Sequence, residues 1–274
     1  MNAVRSASHL AKRVRQTPQL FRNFPAVFWD LGTHRTPLRR GEMTFRMRNG
    51  YVVHCPNANG ARFPLYEIFG DDAYQIDELV DGVDPDAAVL DVGGQIGSFS
   101  LALARALPAG SIHVYEASPT SAGYIQRNVD SNGLGGRVTV HAKAMAGEPG
   151  EFTFVDSGTA SGHNGLTAPD WMKEQGAREV TVPAETFDAA VAATGGAVQI
   201  VKMDVEGAEY DIVLRSSPDS WADVRKVVME YHPVDGRSLD DLLGFFAAVG
   251  LRPGRHDVGT RAGLGVIWLA RDAG

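Results

Sequence analysis

Four carboxylates and a histidine stand where short apolar runs end: Asp91 in AAVLDV, Glu116 in SIHVYEA, Asp204 in AVQIVKMD, and Glu230 with His232 in VRKVVMEYH. Apolar runs of this length read as buried strands, and an acid at the end of such a strand can meet a ligand. After Asp91 the chain reads VGGQIGSFSLALA: three glycines within six residues, then a helical pattern. A strand, a glycine turn and a helix N-terminus in that order suit a nucleotide-like cofactor.

The spacing around that turn narrows the choice. A nicotinamide site expects G-x-G-x-x-G and seats a pyrophosphate on the helix N-terminus. Here Gly93 is followed by Gly94 and Gln95, and the spacing is D-x-G-x-x-x-G through Gly97. Asp91 would repel a pyrophosphate but suits a cation. S-adenosylmethionine carries a sulfonium and an ammonium and has no phosphate. In this reading Gly93, Gly94 and Gly97 let the backbone approach it, with Gln95 near the methionine moiety. Asp91 helps hold the amino end, directly or through water. Glu116 accepts both ribose hydroxyls, and Ser118 reaches the adenine or ribose. Nicotinamide sites also place an acid there, so Glu116 alone does not discriminate.

The elements that position these residues follow from the pattern. Strands over 87–92, 111–117, 136–142, 197–204 and 224–232 alternate with helices over 97–107, 119–131, the stretches ETFDAAVAA and GAEYDIVLR, and 238–249. That alternation predicts an α/β fold, a doubly wound, mostly parallel seven-stranded sheet of the Rossmann-like kind. Strands near 252–258 and 264–271, joined by a glycine turn, form an antiparallel pair that puts one reversed strand near the edge. Residues 151–156 are expected to pair with 178–184 across a polar, glycine-rich loop at 157–170, read as an acceptor loop. Ahead of this body, 1–70 reads as an N-terminal extension. It has one or two helices over 7–31 broken by Pro18 and Pro25, and a hairpin around Asn49-Gly50. The body then spans 71–274, opening with a helix over 72–81.

VKMDVEGAEYDIV (201–213), VLDVGGQIGSFS and VVMEYHP (227–233) together resemble the FkbM family of S-adenosylmethionine-dependent methyltransferases. The resemblance spans roughly 87–233. Family members usually read D-V-G-A-N-I-G where this chain has D-V-G-G-Q-I-G. The resemblance implies a methyltransferase fold and O-methylation, often of sugar or polyketide hydroxyls in natural-product and glycan pathways.

Methyl transfer needs the acceptor oxygen, methyl and sulfur aligned, and the hydroxyl relieved of its proton by a base or a metal. Asp204, Glu230 and His232 are the candidates for base or positioning, and His163 in the 157–170 loop could act on a docked acceptor. Asp204 and Glu230 could hold Mg2+, a hard ion with oxygen ligands. Glu206 and Glu209 fall at a helix N-terminus, where acids are favoured anyway. Lys202 is expected to pair with a nearby acid. Trp171 and Trp221 default to packing, although either could line an acceptor pocket.

Composition bounds the rest. Hydrophobic residues make up 44% and charged residues 22% of 274, with a net charge of −7. Residues 1–48 hold ten Lys/Arg against Asp30 and Glu42, so the remainder is strongly acidic. That argues against nucleic acid as the main partner. The basic head reads as an arm packed on the body or on a second subunit, which makes a homodimer an expectation. Contact with an acidic partner and an organelle-targeting peptide are its other readings. No apolar run reaches membrane length, and the lone Cys55 fits a reducing, cytoplasmic setting. The expected partner is a small-molecule hydroxyl acceptor. Two rival functions are a nicotinamide-dependent oxidoreductase, which lacks the third-position glycine and a Tyr-x-x-x-Lys pair, and a non-catalytic cofactor-binding module.

Overall fold

A computed structural model describes residues 2–58, 60–156, 178–259 and 262–271. Two helices, Asn2–Leu20 and Phe24–Thr33, precede the first two strands, β1 (Glu42–Arg46) and β2 (Val52–Pro56), which pair antiparallel. The principal sheet contains β3 (Ala88–Val92), β4 (Ser111–Tyr115), β5 (Val138–His141), β9 (Val198–Met203), β10 (Lys226–Tyr231), β11 (Leu251–Val258) and β12 (Gly265–Arg271). Its order is β11-β12-β10-β9-β3-β4-β5. Every neighbouring pair is parallel except the two made by β12, the one reversed strand, second from the edge.

The sheet is apolar on both faces, so its central strands are buried throughout. Val89, Ile112, Val114, Ile200 and Val228 face one cluster, and Ala88, Leu90, Val92, Val201, Met203, Val227 and Met229 face the other. This alternation, with helices covering both sides, is what a doubly wound sheet requires. Strand order reverses where β3 lies between β4 and β9, so the carboxyl ends of β3, β4 and β9 open a crevice there.

A smaller sheet, β6 (Ala144–Met145), β7 (Gly150–Asp156) and β8 (Arg178–Glu185), has the order β6-β8-β7. The expected pairing of β7 with β8 is present, with Phe152 opposite Val182 and Phe154 opposite Val180. His163 and Trp171 lie outside the described residues.

The basic head is packed on the body. Phe21, Val27, Met43, Phe45, Met47 and Val53 join the same apolar cluster as Ile112 and Val129. Lys12 and Arg13 reach Asp71 at 2.7 and 2.8 Å. The hairpin docks through two asparagines one turn apart on the helix Pro119–Ser131. The Asn128 amide pairs with the N–H and C=O of His54, at 2.7 and 3.0 Å, and Asn132 does the same with Val52, at 2.8 Å each. Each amide thus completes the open side of β2 as a neighbouring strand would.

Local chemistry moved several expected boundaries. The first helix, Asn2–Leu20, starts earlier than predicted and runs through Pro18, which falls in its last turn. The hairpin loop is wider than the two residues expected. Met47 N–H donates to the Tyr51 carbonyl, Gly50 N–H donates to Met47, and Gly50 takes φ +103, a three-residue loop. The helix expected over 72–81 shrinks to Ile76–Val80, because Asp72 and Gln75 adopt φ +50 and +53 and Asp72 Oδ1 accepts from Ile76 N–H. A short helix at Phe63–Phe69, with Pro64 in its first turn, was not anticipated.

Candidate active site

The turn after β3 is shaped by contacts that leave no room for a side chain. Gly93 has φ +83, and a Cβ there would come within 1.8 Å of the Asp204 carbonyl oxygen. A Cβ on Gly94 would lie 2.3 Å from Val114 Cγ1 and 2.9 Å from Ile125 Cδ1. Alanine, usual in the family at this position, therefore does not fit against this chain's Val114. Gly97 caps the helix Ser98–Ala106 at φ +83, beside Ile125. Gln95 takes the left-handed region as well, at φ +52.

Asp91 lies under this turn rather than on the crevice wall. It is fully buried, accepts from Ser100 Oγ at 2.6 Å, and sits 3.4 Å from Lys202 Nζ, its cross-strand neighbour on β9. Lys202 also donates to the Gly93 carbonyl. Burial would lower the Lys202 ammonium, but Asp91 beside it holds its pKa above the usual value. The pair ties β3, β9 and the turn together, in keeping with the ion pair expected for Lys202.

Glu116 follows β4 and is held by the backbone. Its two oxygens accept from Gln95 N–H and Ser118 N–H, each at 2.8 Å. Burial pushes its pKa up to about 7 against those two donors. The Ser118 hydroxyl is buried, caps the helix Pro119–Ser131 and donates to Asp156 at 2.9 Å. Its contribution to the crevice is its backbone N–H, through Glu116.

Two adjoining cavities, each of about 260 Å3, open at the strand ends. The first is lined by Glu116 and Lys143, by Phe63, Phe152 and Phe154, and by Asp204, Glu206 and Glu230. The second borders the glycine turn and is lined by Tyr74, Gly94, Ser98, Phe99 and Lys202. Glu67, Gly93, Gln95, Asp204 and Glu230 border both. Ser98 is 1% exposed, and its hydroxyl has no hydrogen-bond partner among the described residues.

The D-V-E-G-A-E segment turns around one carboxylate. Glu209, fully buried, accepts from Val205 N–H at 3.1 Å, from Gly207 N–H at 3.0 Å, and lies 2.9 Å from His232 Nδ1. Glu206, between those two amides, takes φ +54, and its Oε2 lies 3.5 Å from His232 Nε2. Burial would lower His232, but its bond to Glu209 and the nearby Glu206 and Asp204 raise its pKa to about 9. The ring lies behind the wall of the first cavity rather than on it. Burial pushes Glu206 and Glu230 up to about 7, with the Asp204 charge adding to both, and Asp204 itself is raised by burial. Among the described residues, the group of three whose ligand atoms converge as a metal could use is Asp204, Glu206 and His232.

Glu67, Tyr74, Ser98, Phe152 and Phe154 were missed in the sequence. They come from the short helix, from a loop, from a helix start and from the smaller sheet, none of which carries a motif. Ser98 alone had a signal, as the first helical residue after the glycine turn.

A doubly wound sheet with an acid-lined crevice at its switch point, and a D-x-G-x-x-x-G turn in place of G-x-G-x-x-G, fits the Rossmann-like methyltransferase class. Residues 91–253, more than half of the chain, match the Methyltransferase FkbM domain. The chain belongs to the FkbM methyltransferase family. It is 29% identical over 220 residues to 31-O-demethyl-FK506 methyltransferase FkbM of Streptomyces tacrolimicus, covering 70% of this chain and 83% of that protein. It is 26% identical over 204 residues to Methyltransferase 1 of Beauveria bassiana, covering 67% and 80%. Among solved structures it is similar to methyltransferase FkbM from Methylobacillus flagellatus, with a TM-score of 0.47 and 13% identity. That match covers 77% of this chain and 55% of the other. No helix among the described residues is long and apolar enough to cross a membrane.

Proposed function

We propose that this chain is an S-adenosylmethionine-dependent O-methyltransferase that acts on a hydroxyl of a small or glycosylated metabolite. The observation that carries the reading is the two-part crevice. Glu116, fixed by two backbone donors, fronts one part, and an unpartnered buried hydroxyl, Ser98, fronts the other. The residues fit the donor's chemistry end to end. Glu116 retains lone pairs for the two ribose hydroxyls. Ser98 and Tyr74 offer hydroxyl donors to a carboxylate, and Asp204 and Glu230 offer acceptors to an ammonium or sulfonium. Gly93 keeps the backbone low where a Cβ would strike Asp204.

When bound, the donor supplies an electrophilic methyl group on positively charged sulfur. The chain's own part is positioning, proton removal and exclusion of water. Asp204 and Glu230 stand at the boundary of the two cavities, where they can orient an acceptor hydroxyl and receive its proton. Phe63, Phe152 and Phe154 give the first cavity apolar sides that suit the carbon body of an acceptor. The name of the Streptomyces relative, a 31-O-demethyl-FK506 methyltransferase, supports a natural-product hydroxyl as the acceptor class. The test is incubation with the donor and a panel of hydroxylated metabolites, read by mass spectrometry for the gain of one methylene per acceptor. A product that loses the gain when its hydroxyl is blocked supports the reading, and methylation at carbon or nitrogen only would overturn it.

A further inference from the structure

Three side chains beside the first cavity offer the kinds of atom that hold a transition-metal ion. One ligand atom each from Asp204, Glu206 and His232 lies within 4.8 Å of the other two. They reach this point from two neighbouring parallel strands, Asp204 and Glu206 after β9 and His232 after β10. The set is preformed from outside. Glu209, buried behind it, binds His232 Nδ1 at 2.9 Å and leaves Nε2 toward Glu206. A carboxylate on the far ring nitrogen is how proteins commonly fix a ligating imidazole. Two of the three donors, Asp204 and Glu206, open on a space of about 260 Å3 that Glu230 also borders, so further coordination positions have somewhere to face.

We infer that Asp204, Glu206 and His232 form a site for one divalent cation whose remaining positions face the acceptor. The inference rests on the methyl-transfer reading of the same crevice. Two carboxylates with an imidazole suit manganese or zinc better than magnesium, which prefers oxygen alone. The site also differs from the Asp204 and Glu230 pair that sequence spacing suggested. A cation there lowers the pKa of an acceptor hydroxyl. The hydroxyl proton passes to the Glu230 carboxylate, the oxygen lone pair forms the bond to the methyl carbon, and the carbon–sulfur bonding pair stays on sulfur.

The experiment is a titration of the purified chain with manganese chloride in the presence of S-adenosylhomocysteine, read by the loss of the free-ion electron paramagnetic resonance signal. Calorimetry measures S-adenosylhomocysteine binding separately, and circular dichroism checks the fold of each variant. The wild type is expected to take one ion per chain. His232→Gln and Glu206→Gln are expected to weaken the ion by about tenfold or more, and Glu209→Gln by about 10- to 100-fold as an outer partner. Glu116→Gln is expected to keep the ion while losing S-adenosylhomocysteine. Free ion throughout the millimolar range in a wild type that binds S-adenosylhomocysteine overturns the site, leaving His232 as a cation held between carboxylates. Undiminished binding by the folded His232 and Glu206 variants overturns it equally. Failure of S-adenosylhomocysteine to bind, with manganese retained, counts against the donor reading and not against the site.

Discussion

In the proposed function donor binding turns on Glu116, whose two oxygens are already fixed by backbone donors. Glu116→Ala is expected to cost about 1.5–3 kcal/mol of S-adenosylhomocysteine binding, the worth of hydrogen bonds to a charged group. Calorimetry on the folded variant checks this, and unchanged affinity would remove the ribose contact. The same side chain sets a pH dependence. Its pKa is raised to about 7, and only the ionised form accepts from both hydroxyls. Affinity should be full above that value and fall as pH drops through it, with proton release on binding near neutrality. Ser98→Ala tests the other end. It should weaken S-adenosylhomocysteine but leave 5′-methylthioadenosine, which lacks the amino-acid portion, unaffected.

At the scale of elements, the hairpin and the helix Pro119–Ser131 depend on two side-chain amides. Asn128 is fully buried and satisfies both backbone groups of His54, while its amide also donates to Ile96 O at 2.9 Å. Asn128→Ala leaves those groups without partners and should destabilise the fold by about 1–3 kcal/mol. Thermal unfolding measures it, and an unchanged midpoint would show that water replaces the amide without loss. This contact explains where sequence reading stopped. The β and α alternation of the body was legible because its central strands are short, mostly apolar runs separated by helical stretches. The docking of β2 against Asn128 and Asn132 was not, because nothing in an asparagine pair one turn apart announces a partner far along the chain. The helix Phe63–Phe69 was hidden for a related reason: seven residues with a proline at the start show too little periodicity. The Asp91–Lys202 ion pair was half legible, since each residue ended or interrupted an apolar strand. That Asp91 is spent on Lys202 and Ser100 follows only from strand order, which brings β3 beside β9.

The whole molecule concentrates unfavourable charge in one crevice. Glu116, Glu206 and Glu230 are all raised to about 7. Unfolded, they would titrate near the usual carboxylate value, so between the two the folded chain binds more protons than the unfolded one. Stability from these groups is present below their unfolded pKa and is lost as pH rises through about 7. His232, raised to about 9, acts in the same sense at higher pH. The midpoint of the unliganded protein should therefore fall as pH rises from about 5 to about 8, and a cationic ligand should flatten that slope. A midpoint that rises over the range would show that the crevice acids are solvated and unstrained. In the proposed function this acidic crevice receives a sulfonium donor and not a pyrophosphate cofactor. Calorimetric titration of the wild-type chain with S-adenosylhomocysteine and, in parallel, with NADH tests it most directly. One S-adenosylhomocysteine per chain and no heat from NADH is the result expected; binding of NADH with none of S-adenosylhomocysteine would contradict it.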